Sequence, residues 1–391
     1  MRHANQQQVQ LSRVTSRPGR FDGFRGRPTR ILLPLAGLAV VVAVALVLHP
    51  VHFGDEPTTS LPGAQPPPSP SAAATVDAAT ANEKVRYGVF VGTDASQVRR
   101  FERVTGQNVV DVLDFGQRGS WDDIANPATV LAHWRGDTKH RLILAVPLLP
   151  TSLKPTRLSA MKAGAAGDYN QYFKALAQRL VAADHQDAVL RIGWEFNIKD
   201  WAWGTPDAKS FRAFFRQVVT TMRSVPGADF WIDWNVNNGF TPYDGTKYWP
   251  GDAYVDSVGV DAYDIDGTVY PYPKNCRTVC REKLQERAWD EVIFGGERGL
   301  QFWSQFAAEH DKPLALSEWG LWDRLNDHTG GAENPFYIRQ MHDFITSPLN
   351  NVAYAAYFNS DDPESKHSLL DGEFPASAKV FKDLFGGKTS G

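Results

Sequence analysis

Several motifs that mark common enzyme classes are missing from this sequence. The 391 residues contain no H-E-x-x-H motif and the ten histidines are scattered, which argues against a metal-dependent enzyme. No G-x-S-x-G motif is present, so the chain lacks the nucleophile elbow of many serine hydrolases. A net charge of −3 leaves no basic excess for a nucleic-acid partner. We therefore predict no metal, no cofactor and no nucleic-acid binding.

Cysteine is also scarce, because the chain has only Cys276 and Cys280, in a stretch rich in proline and tyrosine. A C-x-x-x-C pair with no further cysteine and no nearby histidine is a poor set of zinc ligands. If this domain lies outside the cell, a disulfide that closes the short loop is expected. Two free thiols are the alternative.

The N-terminal part differs in composition from the rest of the chain. Residues 1–30 contain seven arginines and one acidic residue, Asp22, which predicts a disordered basic tail in the cytoplasm. Residues 31–48 are uncharged and mostly apolar, so the stretch approaches the length needed to cross a hydrocarbon core of ~30 Å. We predict a single-pass membrane anchor over residues 31–50, with its arginine-rich end in the cytoplasm.

A segment rich in proline, alanine and serine follows at residues 51–82. Such a composition cannot bury a core, so it predicts a linker that holds the remaining domain, residues 83–388, away from the membrane. The domain would then lie outside the cell at the cell membrane. A cleaved signal peptide is the alternative, and in that case the protein is secreted.

Residues 83–388 alternate between apolar, strand-like runs and segments with helical periodicity. Eight such units over about 300 residues predict an α/β protein with a (β/α)8 TIM barrel. An open doubly wound sheet is the competing fold, but no G-x-G-x-x-G turn follows the first strand. Predicted strands cover residues 86–92, 108–116, 141–149, a fourth segment ending at Glu195, 229–237, 254–263, 313–320 and 352–358.

Two of these strands end in a glutamate that is followed or preceded by tryptophan. Leu190–Asn197 (LRIGWEFN) carries Glu195, and Pro313–Gly320 (PLALSEWG) carries Glu318. Barrel enzymes carry their chemistry at the C-terminal strand ends, so the two carboxylates are expected to meet there and to cleave a glycosidic bond. The alternative is that each glutamate only pairs with an arginine at the barrel rim. Two-residue alternation would place one set of strand-four side chains toward the interior: Arg191, Gly193 and Glu195.

The sequence around these glutamates resembles glycoside hydrolase family 26, one of the clan A barrel glycosidases, which includes β-mannanases. The similar motifs are Arg191-x-x-x-Glu195-x-Asn197 with the following Trp201 and Trp203, Leu316–Gly320 (LSEWG), and Val258–Tyr263 (VGVDAY). The family usually has histidine immediately before the acid/base glutamate, whereas this chain has Trp194. The glycan therefore stays open among mannan, xylan, glucan and other polymers.

The resemblance implies a retaining endo-β-glycoside hydrolase that acts on an extracellular polysaccharide by double displacement. Glu318 would attack the anomeric carbon, while Glu195 would protonate the leaving oxygen and then activate water. The catalytic domain is expected to be monomeric. A barrel that binds a glycan without cleaving it is the alternative from a different functional class.

Further residues are candidates for holding the substrate or the two glutamates. Arg191 lies below Glu195 on the predicted inner face and could pair with Glu318, and by the resemblance Tyr263 would hydrogen-bond to that nucleophile. Asn235 and Asn237 share the inner face of strand five and are candidates for binding sugar hydroxyls. The remaining candidates for substrate contact are Trp194, Asn197, Trp201, Trp203 and Trp319, each of which could instead be a buried structural residue.

Overall fold

The computed structural model describes residues 85–387, which form a closed barrel. Eight parallel strands surround its axis; each pairs with the next along the chain, and the eighth pairs with the first. The prediction of an eight-stranded parallel barrel with alternating helices is therefore confirmed. The strands, numbered β1 to β8, are Arg86–Phe90, Asp111–Phe115, Arg141–Val146, Val189–Ile192, Trp231–Asn237, Ser257–Tyr263, Leu314–Gly320 and Val352–Phe358.

Helices follow the strands and cover the outside of the barrel. The α-helices span Ala95–Thr105, Trp121–Ala125, Ala128–Trp134, Arg157–Ala166, Asn170–Ala182, Ala208–Arg223, Thr278–Ala288, Leu300–Glu309, Pro335–Thr346 and Pro375–Phe385. Side-chain caps fix where some of them begin: Asp94 accepts from the backbone N–H of Ser96. Three of these helices have no clear signal in the sequence, because they are short or lack a continuous apolar stripe: Trp121–Ala125, Arg157–Ala166 and Thr278–Ala288.

The apolar core has two parts, one on each side of the barrel wall. A small cluster fills the interior of the ring and includes Leu113, Ile143, Val189 and Ala315. A much larger cluster lies between the strands and the surrounding helices. Alternation along each strand supplies both clusters, since successive side chains point to opposite faces. Aromatic members of the interior cluster, among them Phe90 and Phe358, reach the C-terminal end of the ring, where polar residues join them.

β4 is shorter than predicted: it ends at Ile192 and does not continue to Glu195. Gly193 and Glu195 have φ angles of 59° and 49°, in the left-handed region, so the chain turns sharply there. The predicted alternation is therefore wrong beyond Ile192. Left-handed backbone is unusual for a residue other than glycine and is often found at functional sites. The turn carries the side chain of Glu195 over the end of the barrel.

β7 contains one residue more than its neighbours near its C-terminal end. The extra residue lies between Ala315 and Glu318 in the pairing with β6, and the register against β8 shifts in the same region. A bulge of this kind interrupts two-residue alternation. As a result Ser317 and Glu318 both hydrogen-bond to interior side chains, whereas Trp319 packs on the outside of the ring.

The predicted tail, anchor and linker, residues 1–82, lie outside the described residues. Among residues 85–387, no helix is long and apolar enough to cross a membrane. Of the two states considered for the cysteines, the disulfide is confirmed: Cys276 and Cys280 are bonded to each other. The bond joins the loop after β6 to the first turn of helix Thr278–Ala288.

Candidate active site

A cavity of about 490 Å³ opens at the C-terminal end of the barrel strands. This is the end at which barrel enzymes carry their chemistry. Both Glu195 and Glu318 line the cavity, together with Trp194, Trp201, Asn237 and Tyr263. The fold thus brings two distant carboxylates into one cavity. Glu195 lies in the turn after β4 and Glu318 on β7, 123 residues later in the sequence.

Glu318 is held by two donors, Arg191 on β4 and Tyr263 on β6. Nη1 of Arg191 donates to Oε1 at 2.7 Å, and the hydroxyl of Tyr263 donates to Oε2 at 2.6 Å. The predicted pairing of Arg191 with Glu318 is therefore present, as is the predicted bond from Tyr263. A guanidinium at this distance forms a charge-assisted hydrogen bond with a carboxylate.

Arg191 is fully buried beneath the cavity and serves more than one carboxylate. Its Nη2 donates to Asp261 at 2.6 Å and to Asn235 at 2.9 Å, and Asn235 in turn donates to Asp261. Burial opposes the charge of Arg191, but the carboxylates of Asp261 and Glu318 outweigh this effect and raise its pKa. Arg191 and Asn235 therefore support Glu318 from below, and neither lines the cavity as a substrate-binding residue would.

Within residues 85–387, the side-chain hydrogen bonds that Glu195 accepts come from neutral donors. Nδ2 of Asn237 donates to Oε1 at 2.6 Å, and the indole N–H of Trp201 donates to Oε2 at 3.2 Å. Burial, followed by the negative charge of Glu318, raises the pKa of Glu195 to about 7. Near neutral pH this carboxyl group can both release and accept a proton.

The two glutamates therefore have opposite electrostatic surroundings within one cavity. Glu318 faces a buried cation, whereas Glu195 faces aromatic rings and amide groups. In many enzymes two similar carboxyl groups take different catalytic roles because their surroundings differ in this way. The arrangement can supply one ionised carboxylate and one proton donor to a substrate between them.

Trp201 lines the cavity, but its ring is covered rather than open. Trp203 stacks on it with ring centroids 4.9 Å apart and an angle of 8° between the planes. The guanidinium carbon of Arg118, another cavity residue, lies over the same ring at 5.1 Å from its centroid. The sequence interpretation left Trp201 as a candidate for substrate contact or a buried structural residue, and the structure shows an indole held between a ring and a cation.

Three predicted substrate contacts lie away from the cavity. Trp203 is buried and donates its indole N–H to the carbonyl oxygen of Trp194. Asn197 bonds to the backbone of Asn237 and so fixes the C-terminal end of β5, which carries Asn237. Of the two roles considered for Trp319, the structure has the buried structural one, because the residue after an inward-pointing Glu318 faces the helices, where it packs on Phe381 and Phe385.

Other cavity residues were not expected from the sequence. The loops after β7 and β8 form a two-stranded antiparallel ribbon, Asp323–Arg324 with Ser365–Lys366, at the edge of the cavity. His367 from this region packs against Tyr263, and burial lowers its pKa to about 4. Only pairing across two separate loops creates the ribbon, so no local sequence pattern could reveal it.

The geometry defines a class of protein, the barrel glycosidases with a glutamate pair at the strand ends. A sequence model of the family described as Glycosyl hydrolase family 26 matches residues 104–277, which include Glu195 and Tyr263 but end before Glu318. Over residues 104–277 the chain therefore resembles the glycoside hydrolases of this family, and the resemblance inferred from its motifs is confirmed.

Solved structures with the same fold include enzymes of this family. An endo-β-1,4-mannanase double mutant from Cellulomonas fimi is 17% identical to this chain and superposes with a TM-score of 0.55. The alignment covers 78% of this chain and 72% of the mannanase chain. The catalytic domain of a family 26 endo-β-1,4-mannanase from Bacillus sp. JAMB-750 is also 17% identical and has a TM-score of 0.51. That alignment covers 78% of this chain and 88% of the Bacillus domain. At this identity the likeness shows the fold. No curated protein matches the chain.

Proposed function

We propose that this protein is a retaining endo-β-glycoside hydrolase that cleaves an extracellular polysaccharide. The observation that carries the proposal is the electrostatic asymmetry of the two glutamates in one cavity: Arg191 and Tyr263 hold Glu318, whereas buried Glu195 has a pKa of about 7. Endo action is inferred from the two family members named above. Their mannan substrate is not carried over, because Trp194 stands where the family usually has histidine.

In the proposed mechanism Glu318 attacks the anomeric carbon of the sugar and forms a covalent glycosyl ester. Glu195 donates its proton to the glycosidic oxygen as the bond to the leaving sugar breaks. Glu195, now a carboxylate, then removes a proton from water, and the resulting attack releases the sugar from Glu318. Tyr263 and Arg191 keep the nucleophile oriented, and Asn237 orients Glu195.

The stereochemistry of the first product tests this mechanism. After a polysaccharide panel has been screened for release of reducing ends, we expect proton NMR of early products to show the β-anomer first, because two displacements restore the starting configuration. Retention further requires the two carboxyl groups to be ~5–5.5 Å apart. Early accumulation of the α-anomer would show inversion and would contradict the covalent step. Release of no reducing ends from any β-glycan would contradict the proposed reaction.

We propose further that the enzyme is anchored in the cell membrane by residues 31–50, with the barrel outside the cell. Two features support this location: the uncharged stretch that follows an arginine-rich tail, and the disulfide between Cys276 and Cys280, which is typical of oxidising compartments. Secretion after cleavage is the alternative. The linker 51–82 would give the barrel reach toward an insoluble polymer.

Cell fractionation distinguishes the anchored form from the secreted form. We expect the full chain to sediment with membranes and its barrel to be accessible to protease added to intact cells. A variant without residues 31–50 should remain inside the cell, since it lacks the export segment. Recovery of a soluble protein in the medium that begins after residue 50 would show cleavage instead of anchoring.

A further inference from the structure

The loop after β5 carries an exposed aromatic side chain at the edge of the cavity. Asn237, the last residue of β5, donates a hydrogen bond to Glu195. The next two residues, Asn238 and Gly239, line the cavity, and Phe240 follows them and is 82% exposed. In the described part of the chain, Phe240 is the aromatic member of the set of exposed large apolar residues. The proposed mechanism gives its ring no role.

Hydrogen bonds on both sides of the exposed ring fix this loop. Nδ2 of Asn197 donates to the carbonyl oxygen of Asn237 at 2.8 Å and to the hydroxyl of Thr241 at 3.1 Å. The backbone N–H of Gly239 donates to the carbonyl oxygen of Arg298 at 2.9 Å. A braced loop loses little freedom when a ligand binds to it, so the ring is already ordered for a partner.

The cavity wall next to this loop is apolar. Ile265, Val292 and Ile293, from the segments between β6 and β7, all line the cavity. Asn238 links the loop to this wall, because its Nδ2 donates to the carbonyl oxygen of Ile293 at 2.9 Å. Phe240 thus extends from a loop that is bonded to an apolar wall of the cavity. Exposed apolar surface beside a cavity marks a place where a ligand binds.

The position of the loop relates Phe240 to the leaving part of the substrate, and this step rests on the proposed function. There Glu195 protonates the oxygen of the leaving sugar, so the polysaccharide on that side of the bond passes Glu195 and the end of β5. A neutral pyranose has an apolar face of C–H groups. An aromatic ring can bury such a face without a polar partner.

We propose that Phe240 is a binding platform for a sugar on the leaving side of a polysaccharide composed of neutral β-linked pyranoses. Phe240 follows the cavity residues in sequence and is exposed, so the sugar that it contacts lies outside the cavity, beyond the sugar that Glu195 protonates. Asn197 then supports substrate binding indirectly, because it holds the loop that carries the ring. A contact beyond the leaving sugar is in keeping with endo action.

Calorimetry with an inactive enzyme tests the proposal independently of turnover. The full chain with Glu318→Gln is titrated with the hexasaccharides of β-1,4-mannan, β-1,4-xylan, β-1,4-glucan and β-1,3-glucan. We expect at least one of them to bind. Adding Phe240→Ala should weaken that binding roughly tenfold, the effect expected for the loss of one aromatic contact. Adding Phe240→Trp instead should preserve it, because an indole also offers a flat apolar face.

Leu349→Ala is the matched control. Leu349 is 90% exposed and precedes β8, so it lies at the end of the barrel opposite the cavity. Its replacement should leave the affinity for the hexasaccharide unchanged. Both side chains are exposed, so neither substitution should lower the thermal unfolding temperature appreciably, and this is measured for each variant.

The position of cleavage tests the assignment to the leaving side. A hexasaccharide is labelled at its reducing end with oxygen-18, and mass spectrometry of the products shows which bond the active enzyme breaks. Loss of a contact on the leaving side favours binding modes with fewer sugars there. Phe240→Ala should therefore shift cleavage toward the reducing end. A shift toward the non-reducing end would place the ring on the other side of the bond and overturn the proposal.

Further results would also overturn it: none of the four hexasaccharides binds, the affinity survives Phe240→Ala, or Leu349→Ala weakens binding equally. A dimer in sedimentation velocity that Phe240→Ala dissociates would show that the ring binds a second copy of this chain instead. Failure of the proposed function is distinguishable. A hexasaccharide that binds through Phe240 but is never cleaved by the wild-type enzyme contradicts hydrolysis alone, whereas cleavage with an affinity unaffected by Phe240→Ala contradicts the platform alone.

Discussion

Replacing Glu318 by glutamine is expected to reduce hydrolysis of the polysaccharide by roughly 10⁴-fold or more, as removal of a covalent nucleophile typically does. An amide oxygen does not form the glycosyl ester, so no first displacement occurs. The fold should be retained, because the glutamine oxygen can still accept a hydrogen bond from Arg191 or Tyr263 in the same place. Binding of the substrate should change much less than its turnover.

The measurement compares reducing ends released per enzyme molecule with the thermal unfolding temperature of the same preparations. Glu309→Gln is a matched control, since Glu309 is exposed at the end of the helix that precedes β7 and undergoes the same chemical change. Its activity should equal that of the wild type. Near-native activity in Glu318→Gln would show that another group is the nucleophile, and the assignment of Glu318 would fail.

The architecture was predictable because each barrel unit repeats the same local signals. The apolar run Val352–Phe358, for example, has the predicted bounds. The glutamates stood out because a carboxylate at the end of an apolar run is rare without a function. Arg191 could be paired with Glu318 in advance, since a buried cation inside a barrel requires a carboxylate partner.

The parts that were not predictable depend on pairing between distant segments. The bulge in β7 points Ser317 and Glu318 to the same side, and strict alternation cannot represent it. The left-handed turn at Gly193 and Glu195 likewise ends a strand that composition alone would continue. Trp201 was recognised as part of the site, but only the fold brings Arg118 from another loop onto its ring.

Replacing Glu195 by glutamine is expected to slow the cleavage of substrates with poor leaving groups much more than that of substrates with good ones. For a polysaccharide the loss should be about 10²–10⁴-fold, the usual contribution of a general acid. For an aryl glycoside of the same sugar with a highly acidic phenol, formation of the glycosyl ester should change little, because that phenolate leaves without a proton. A pre-steady-state burst of phenol should therefore appear in the variant, since the second step still lacks its base.

The assignment of Glu195 as the general acid also predicts how hydrolysis of the polysaccharide depends on pH. The pKa of Glu195 is raised to about 7, so the proton needed for general acid catalysis is present below pH 7 and lost above it. In the wild type, kcat/KM should therefore fall about tenfold per pH unit above this value, and the glutamine variant should lack this decline.

Asp264→Asn is the control for the origin of the pH effect. Burial also raises the pKa of Asp264 to about 7, and this carboxyl group adjoins Tyr263, which bonds to Glu318. Asp264 itself accepts hydrogen bonds from Tyr270 and Asn334, away from the glutamate pair. The decline above pH 7 should therefore persist in Asp264→Asn. If it disappears there and remains in Glu195→Gln, the titrating group is Asp264, and Glu195 is not the acid.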